Sequence, residues 1–179
     1  VHTVYVRTRM CEDGSLLERM REHDEVLRAN RESGEYPLPY YPFRLIALYT
    51  YELATALVVL HALGIAHNDI KLDNIFMEHR HVVRLGDFGL ACRYARGNVY
   101  MHTGGTRSYA APEKRFRAPH DLEKSDVWSL GCCLYAMYVG DLPDPDPVVP
   151  DLDDGARATI EPMLRVSADK RARFADLVG

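Results

Sequence analysis

The chain has 179 residues, with 22 Lys and Arg against 26 Asp and Glu, for a formal net charge of −4. Its 47% apolar and 27% charged residues are the balance of a globular domain, which excludes disorder as the main state. The near-neutral charge supplies no field for nucleic acid or an anionic membrane. Cys11, Cys92, Cys132 and Cys133 have no C-x-x-C spacing, so neither a disulfide framework nor a thiolate metal site is expected. They read as reduced thiols of an intracellular protein, cytoplasmic or nuclear.

The chain opens on a strand pattern, with Val4, Val6, Thr8 and Met10 alternating with their neighbours. No apolar run of the signal-peptide kind is present there. Opening inside a strand without a leading Met leads us to expect a fragment of a longer protein. Asp13-Gly14 is a turn, and Ser15 is placed to cap a helix. The charged residues from 17 to 35 predict a solvated helix running into a loop, and the prolines of 35–43 an extended or turning segment. Residues 43–63 carry the strongest helix pattern, with Ile46, Tyr49, Leu53, Leu57 and Leu60 on one stripe and Gly64 at its end. Residues 45–66 are the longest candidate for a membrane span, and Glu52 and His61 interrupt them.

Two short apolar runs follow, in IAHNDIKLDNIFM and HVVRLGDFG, and predict strands flanking a polar loop. Residues 91–110 are loop-like. A second buried helix is expected over 125–139, capped by Ser125, with Trp128, Leu130, Leu134 and Met137 inside. Residues 141–154 hold four prolines and six aspartates in a stiff, acidic surface connector. Helices over 155–164 and 172–178 close an α+β, mainly α-helical chain.

The octapeptide from His67 to Asn74 carries the chemistry. Phosphoryl transfer asks little covalent work of a protein; it asks for a placed nucleophile and neutralised charge. Asp69 can accept a hydroxyl proton, Lys71 can lie against a γ-phosphate, and Asn74 offers an oxygen to Mg2+, a hard cation. Thirteen residues after Asn74 comes Asp87, a carboxylate at a strand end suited to a second metal contact. Phe88 would anchor that turn in the core and Gly89 would let it bend.

His67-x-Asp69-x-Lys71-x-x-Asn74 and Asp87-Phe88-Gly89 are followed by Ala111-Pro112-Glu113, 26 residues after Asp87, then Asp126-Val-Trp128-Ser-Leu-Gly131 and Arg171. This ordered series resembles the C-terminal lobe of a eukaryotic-type serine/threonine protein kinase. The resemblance implies a last small-lobe strand and hinge over 1–14 and a kinase-like large lobe over 15–179. Within that lobe the catalytic loop is 67–74, the activation segment 87–113 and the connector 141–154.

The resemblance also implies ATP and Mg2+ as cofactors and protein hydroxyls as substrate. Thr8 would stand near the gatekeeper, Met10 and Cys11 would offer backbone groups to adenine, and Phe76 would sit beneath it. Thr106 would hydrogen-bond Asp69 and Lys71, and Asp126 would tie down the catalytic-loop backbone. Lys71 and Tyr109 follow the serine/threonine pattern. Glu113 and Arg171 are expected to pair structurally, and His67 and His61 to face the core. The expected partners are a protein substrate and a regulatory protein, with neither nucleic acid nor membrane.

Three departures from the family bear on function. Asn68 stands where the family keeps an arginine that receives an activation-loop phosphate, so activity is expected not to need that phosphate. The region between Gly140 and Ile160 is short where the family places a docking helix. The 179 residues contain no glycine-rich phosphate loop, strand lysine or partner glutamate. A non-catalytic half-kinase or scaffold is therefore the alternative reading. Small-molecule phosphotransferases share a related loop but lack the Ala-Pro-Glu and Asp-x-Trp-Ser elements, and rank last.

Overall fold

A computed structural model describes residues 11–29, 41–78, 81–143, 152 and 154–177. The strand and hinge reading of residues 1–10, most of the proline segment and most of the acidic connector lie outside them. Helix α1 (Leu16–Ala29) starts where expected. The Glu18 amide donates to Ser15 Oγ (3.2 Å) and the Ser15 amide donates to Glu18 Oε2 (2.7 Å), a reciprocal capping box. Just before it, the Met77 amide donates to Gly14 O (2.8 Å), fixing the chain against the strand that follows the catalytic loop.

Helix α2 (Phe43–Ala62) buries Ile46, Tyr49, Leu53, Leu57 and His61, a stripe at helical spacing; Leu60 packs at its margin. Gly64 ends it at φ +67, a conformation that costs a glycine little, and its amide donates to His61 O. By length and composition α2 is apolar enough to cross a bilayer, despite the interruptions at Glu52 and His61. Its stripe is instead packed in the core against α4 (Leu122–Val139). Glu52, which interrupts the apolar run, accepts from the Val83 amide (2.8 Å) and ties α2 to a strand.

Among the described residues, four short strands form two antiparallel pairs. β1 (Ile65–Ala66) pairs with β4 (Cys92–Arg93), and β2 (Ile75–Glu78) pairs with β3 (Val82–Leu85) in the register Ile75↔Leu85 to Glu78↔Val82. The polar loop of residues 67–74 therefore leaves one pair and enters the other.

α4 is the central helix, buried nearly all round, so it shows no amphipathic period. It begins three residues earlier than the sequence reading placed it. Asp121, in extended backbone, accepts from the Lys124 amide (3.2 Å) and is the true cap, while Ser125 lies buried inside the first turns. The short α3 (Pro112–Arg115) precedes it, and α5 (Asp154–Met163) and α6 (Phe174–Leu177) pack behind.

The Arg171 guanidinium, fully buried, closes the lower half. It donates to Glu113 Oε1 (2.7 Å) and Oε2 (3.0 Å), and to the carbonyls of Lys124 (2.8 Å) and Arg165 (3.0 Å). The fork geometry suits arginine alone. Arg171→Met should therefore strand a buried carboxylate and several carbonyls and lower unfolding stability by about 3–5 kcal/mol, read by urea denaturation.

Candidate active site

The catalytic loop is hung from α4. Asp126, 1% exposed, accepts from the His67 amide at Oδ2 (2.8 Å) and from the Asn68 amide at Oδ1 (2.9 Å). His61 Nε2 donates to the same Oδ2 (2.9 Å), so this histidine does more than face the core. Asn68 sits at φ +65, in the left-handed region that asparagine tolerates better than most residues. Its side-chain amide donates to Leu90 O (3.2 Å) and Cys92 Sγ (3.3 Å), committing it to the start of the activation segment. His67 is buried as expected, its Nε2 bonded to Gly86 O (2.9 Å) and its Nδ1 accepting from the Asp69 amide (3.3 Å).

These bonds aim Asp69 into a polar cluster. Oδ1 accepts from both the amide and the hydroxyl of Thr106, each at 2.8 Å. At Oδ2, Asn74 Nδ2 donates from 3.1 Å and Lys71 Nζ stands 3.3 Å away. Lys71 Nζ also donates to Thr106 Oγ1 (3.1 Å), and Asn74 Nδ2 to Asp69 O (2.9 Å). Burial would raise the Asp69 carboxyl, but the Thr106 hydroxyl, the Lys71 charge and the Thr106 amide outweigh it. The carboxyl is held below its ordinary value. Asp69, Lys71, Asn74 and Thr106 thus meet in one place.

The β2–β3 hairpin brings the next carboxylate alongside. The Gly86 amide donates to Asn74 O (2.9 Å), and Asp87 follows at once, exposed and at φ +57. The left-handed residue of this turn is Asp87 rather than Gly89, whose amide instead donates to Asp87 Oδ1 (3.2 Å). Phe88 does not enter the core among the described residues; it follows the left-handed Asp87 and is 47% exposed, with the His67 ring 4.8 Å away.

Phe76 is half-buried on β2 and bridged to Ser15, which brings the segment following Cys11 beside it. Thr8 and Met10 lie outside the described residues. Among the described residues no three His, Cys, Asp or Glu side chains gather as a metal cage. Asn74 spends its amide nitrogen on Asp69, so its oxygen is the atom it has to offer. Paired with the Asp87 carboxylate, that donor set fits Mg2+, which takes few protein ligands and completes its shell with phosphate and water.

One buried group escaped the sequence reading. Lys114, beside the Ala-Pro-Glu motif, is 8% exposed, and its Nζ donates to Asn68 O (2.8 Å). A lysine between Glu113 and Arg115 carries no sequence signal of burial; its acceptor is 46 residues away.

Fold and site together define a protein-kinase-like large lobe. The sequence profile of the protein kinase domain matches residues 2–175, and the chain belongs to that family. It is 41% identical over 98 residues to serine/threonine-protein kinase Nek3 of Oryza sativa subsp. japonica, covering 55% of this chain and 17% of that protein. To serine/threonine-protein kinase plk-1 of Caenorhabditis elegans it is 33% identical over 140 residues, 78% of this chain and 19% of the other. To serine/threonine-protein kinase PLK4 of Xenopus laevis it is 41% identical over 93 residues, 51% and 10%. The chain thus matches less than a fifth of the length of each of these relatives.

The Thr106 hydroxyl can be tested apart from any activity. Thr106→Val removes a donor to the Asp69 carboxylate, so Asp69 should titrate at higher pH than in the wild type, while Thr106→Ser should restore the low value. Carboxyl 13C NMR of Asp69 across the acid range reads both.

Proposed function

We propose that the protein is an ATP-dependent serine/threonine protein kinase and that this chain carries the residues of its catalytic loop. The observation that carries the reading is the Asp69 carboxylate held at 2.8 Å by Thr106 and at 3.3 Å by Lys71, with Asn74 on its other side. Held below its ordinary pKa, Asp69 is ionised at neutral pH and ready to orient a serine or threonine hydroxyl and take its proton. Lys71 stands beside it, placed to stabilise oxygens of the transferred phosphoryl group. Asn74 and Asp87 would hold Mg2+, and Phe76, with backbone groups near Thr8, Met10 and Cys11, would hold adenine. When bound, Mg-ATP supplies the phosphoryl group and neutralises its charge.

The free state of all four cysteines fits a reducing compartment, cytoplasm or nucleus. Partners under this reading are protein substrates and a regulatory protein, with neither nucleic acid nor membrane, in keeping with the near-neutral charge. In the full-length protein, Asp69→Asn should lower kcat for Mg-ATP phosphorylation of a generic protein substrate by about 100- to 10,000-fold. Equal rates would instead establish a non-catalytic module.

The proposal includes independence from activation-segment phosphorylation. Asn68 carries no charge, and its amide is committed to Leu90 and Cys92. The segment is already held by the backbone bridge between Tyr100 and His120 (2.9 and 3.0 Å) and by the Ala95 amide on Tyr100 Oη (2.7 Å). Thr103→Ala, which leaves the Tyr100 hydroxyl in place, should leave phosphotransfer near the wild-type rate; its abolition would overturn this part.

A further inference from the structure

Resting on the kinase reading, we propose that Lys114 is a positioning residue, the group by which the end of the activation segment fixes the peptide that aims Asp69. The geometry is specific to one peptide plane. The Asn68 amide is held by Asp126 Oδ1 (2.9 Å) and the Asn68 carbonyl by Lys114 Nζ (2.8 Å), with the left-handed φ of Asn68 between them. The second of these belongs to the peptide linking Asn68 to Asp69, so the ammonium sets the direction from which the Asp69 side chain departs. The other end of that side chain is set by the activation segment as well, through Thr106.

Gly105 shows how closely the two controls are joined. At φ +106, a Cβ there would fall 2.6 Å from Asn68 O and 3.0 Å from Lys114 Nζ, so the segment crosses directly over the ammonium before Thr106 reaches Asp69. Only a glycine leaves room for that crossing. Burying an ammonium is costly unless charge and hydrogen bonds compensate it. The charged and titratable groups facing Lys114 are the Asp126 carboxylate from α4, the Asp69 carboxylate from the catalytic loop, Cys92 from β4 and His102 from the activation segment. The two carboxylates do not fully offset burial, which lowers the lysine's pKa. Lys114 thus sits where its ammonium joins the segment that carries it to the main chain beside Asp69.

The test uses the full-length protein with Lys114→Met and Lys114→Gln, the second keeping a donor for Asn68 O without the charge. Each variant is checked for folding by thermal melting. Lys114→Met should lower kcat about 10- to 100-fold while KM for Mg-ATP stays within about twofold, and Lys114→Gln should recover part of the loss. Hydrogen exchange at the Asp69 and Thr106 amides should quicken in Lys114→Met with the α4 core unchanged. An unchanged kcat, or protection lost evenly across the domain, would overturn the proposal. If the wild type and Asp69→Asn are equally inactive, the kinase reading fails, and amide exchange alone still decides whether Lys114 holds the peptide.

Discussion

The arrangement depends on one buried carboxylate. Asp126 is carried on α4, the most enclosed element of the chain, and a carboxylate there is tolerable only if its oxygens are satisfied. Three donors do so: the His67 amide, the Asn68 amide and the His61 ring. Two of these are consecutive backbone groups of the catalytic loop, so the desolvation cost of Asp126 is offset only when that loop adopts a single shape. A loop that would otherwise sample many conformations is thereby referred to a helix that cannot move without disturbing the core.

That shape is strained, and the strain is distributed around the site. Asn68 and Asp87, one at each end of the polar cluster, hold positive φ without being glycine. Each such residue costs on the order of 1–3 kcal/mol and persists where its surroundings over-determine it. Around Asn68 the determinants are Asp126, Lys114, and Leu90 with Cys92, drawn from three separate segments. Around Asp87 they are local, the Gly89 amide and the hairpin bond between Gly86 and Asn74. The 67–74 loop is therefore held by tertiary contacts, whereas the turn at Asp87 is held largely by its own backbone.

This difference governs what was legible in the sequence. The α2 stripe and the Ser15–Glu18 box could be read because their determinants lie within a turn or two of one another. Asp69, Lys71, Asn74 and Asp87 could be found because they share short motifs, and Thr106 only through the resemblance to a family. The start of α4 was misjudged because two residues, Asp121 and Ser125, had capping chemistry, and only the backbone decides which one ends extended. Phe88 was misjudged because a phenylalanine next to a strand reads as core until the left-handed turn before it is seen. His61 and Lys114 were illegible as site residues: their partners stand 65 and 46 residues away, and nothing in a lysine's neighbours announces that it is buried.

The two lysines of the site show why burial, rather than charge, sorts their tasks. Lys71 and Lys114 both lie near Asp69, and both would be described as cations beside a carboxylate. Lys71 keeps about a fifth of its side chain exposed and points its ammonium at the carboxylate tip and the Thr106 hydroxyl. Lys114 is enclosed beneath the loop and spends its ammonium on a main-chain oxygen. An outward cation can exchange partners as charge develops on a reacting group, because water still screens it and little is lost when it shifts. An enclosed one cannot, since leaving its carbonyl would strand both groups in a dry interior. Under the proposed function the same group would serve as a movable counter-charge at the Asp69 carboxylate and as a fixed strut behind the loop, and depth is what separates the two tasks.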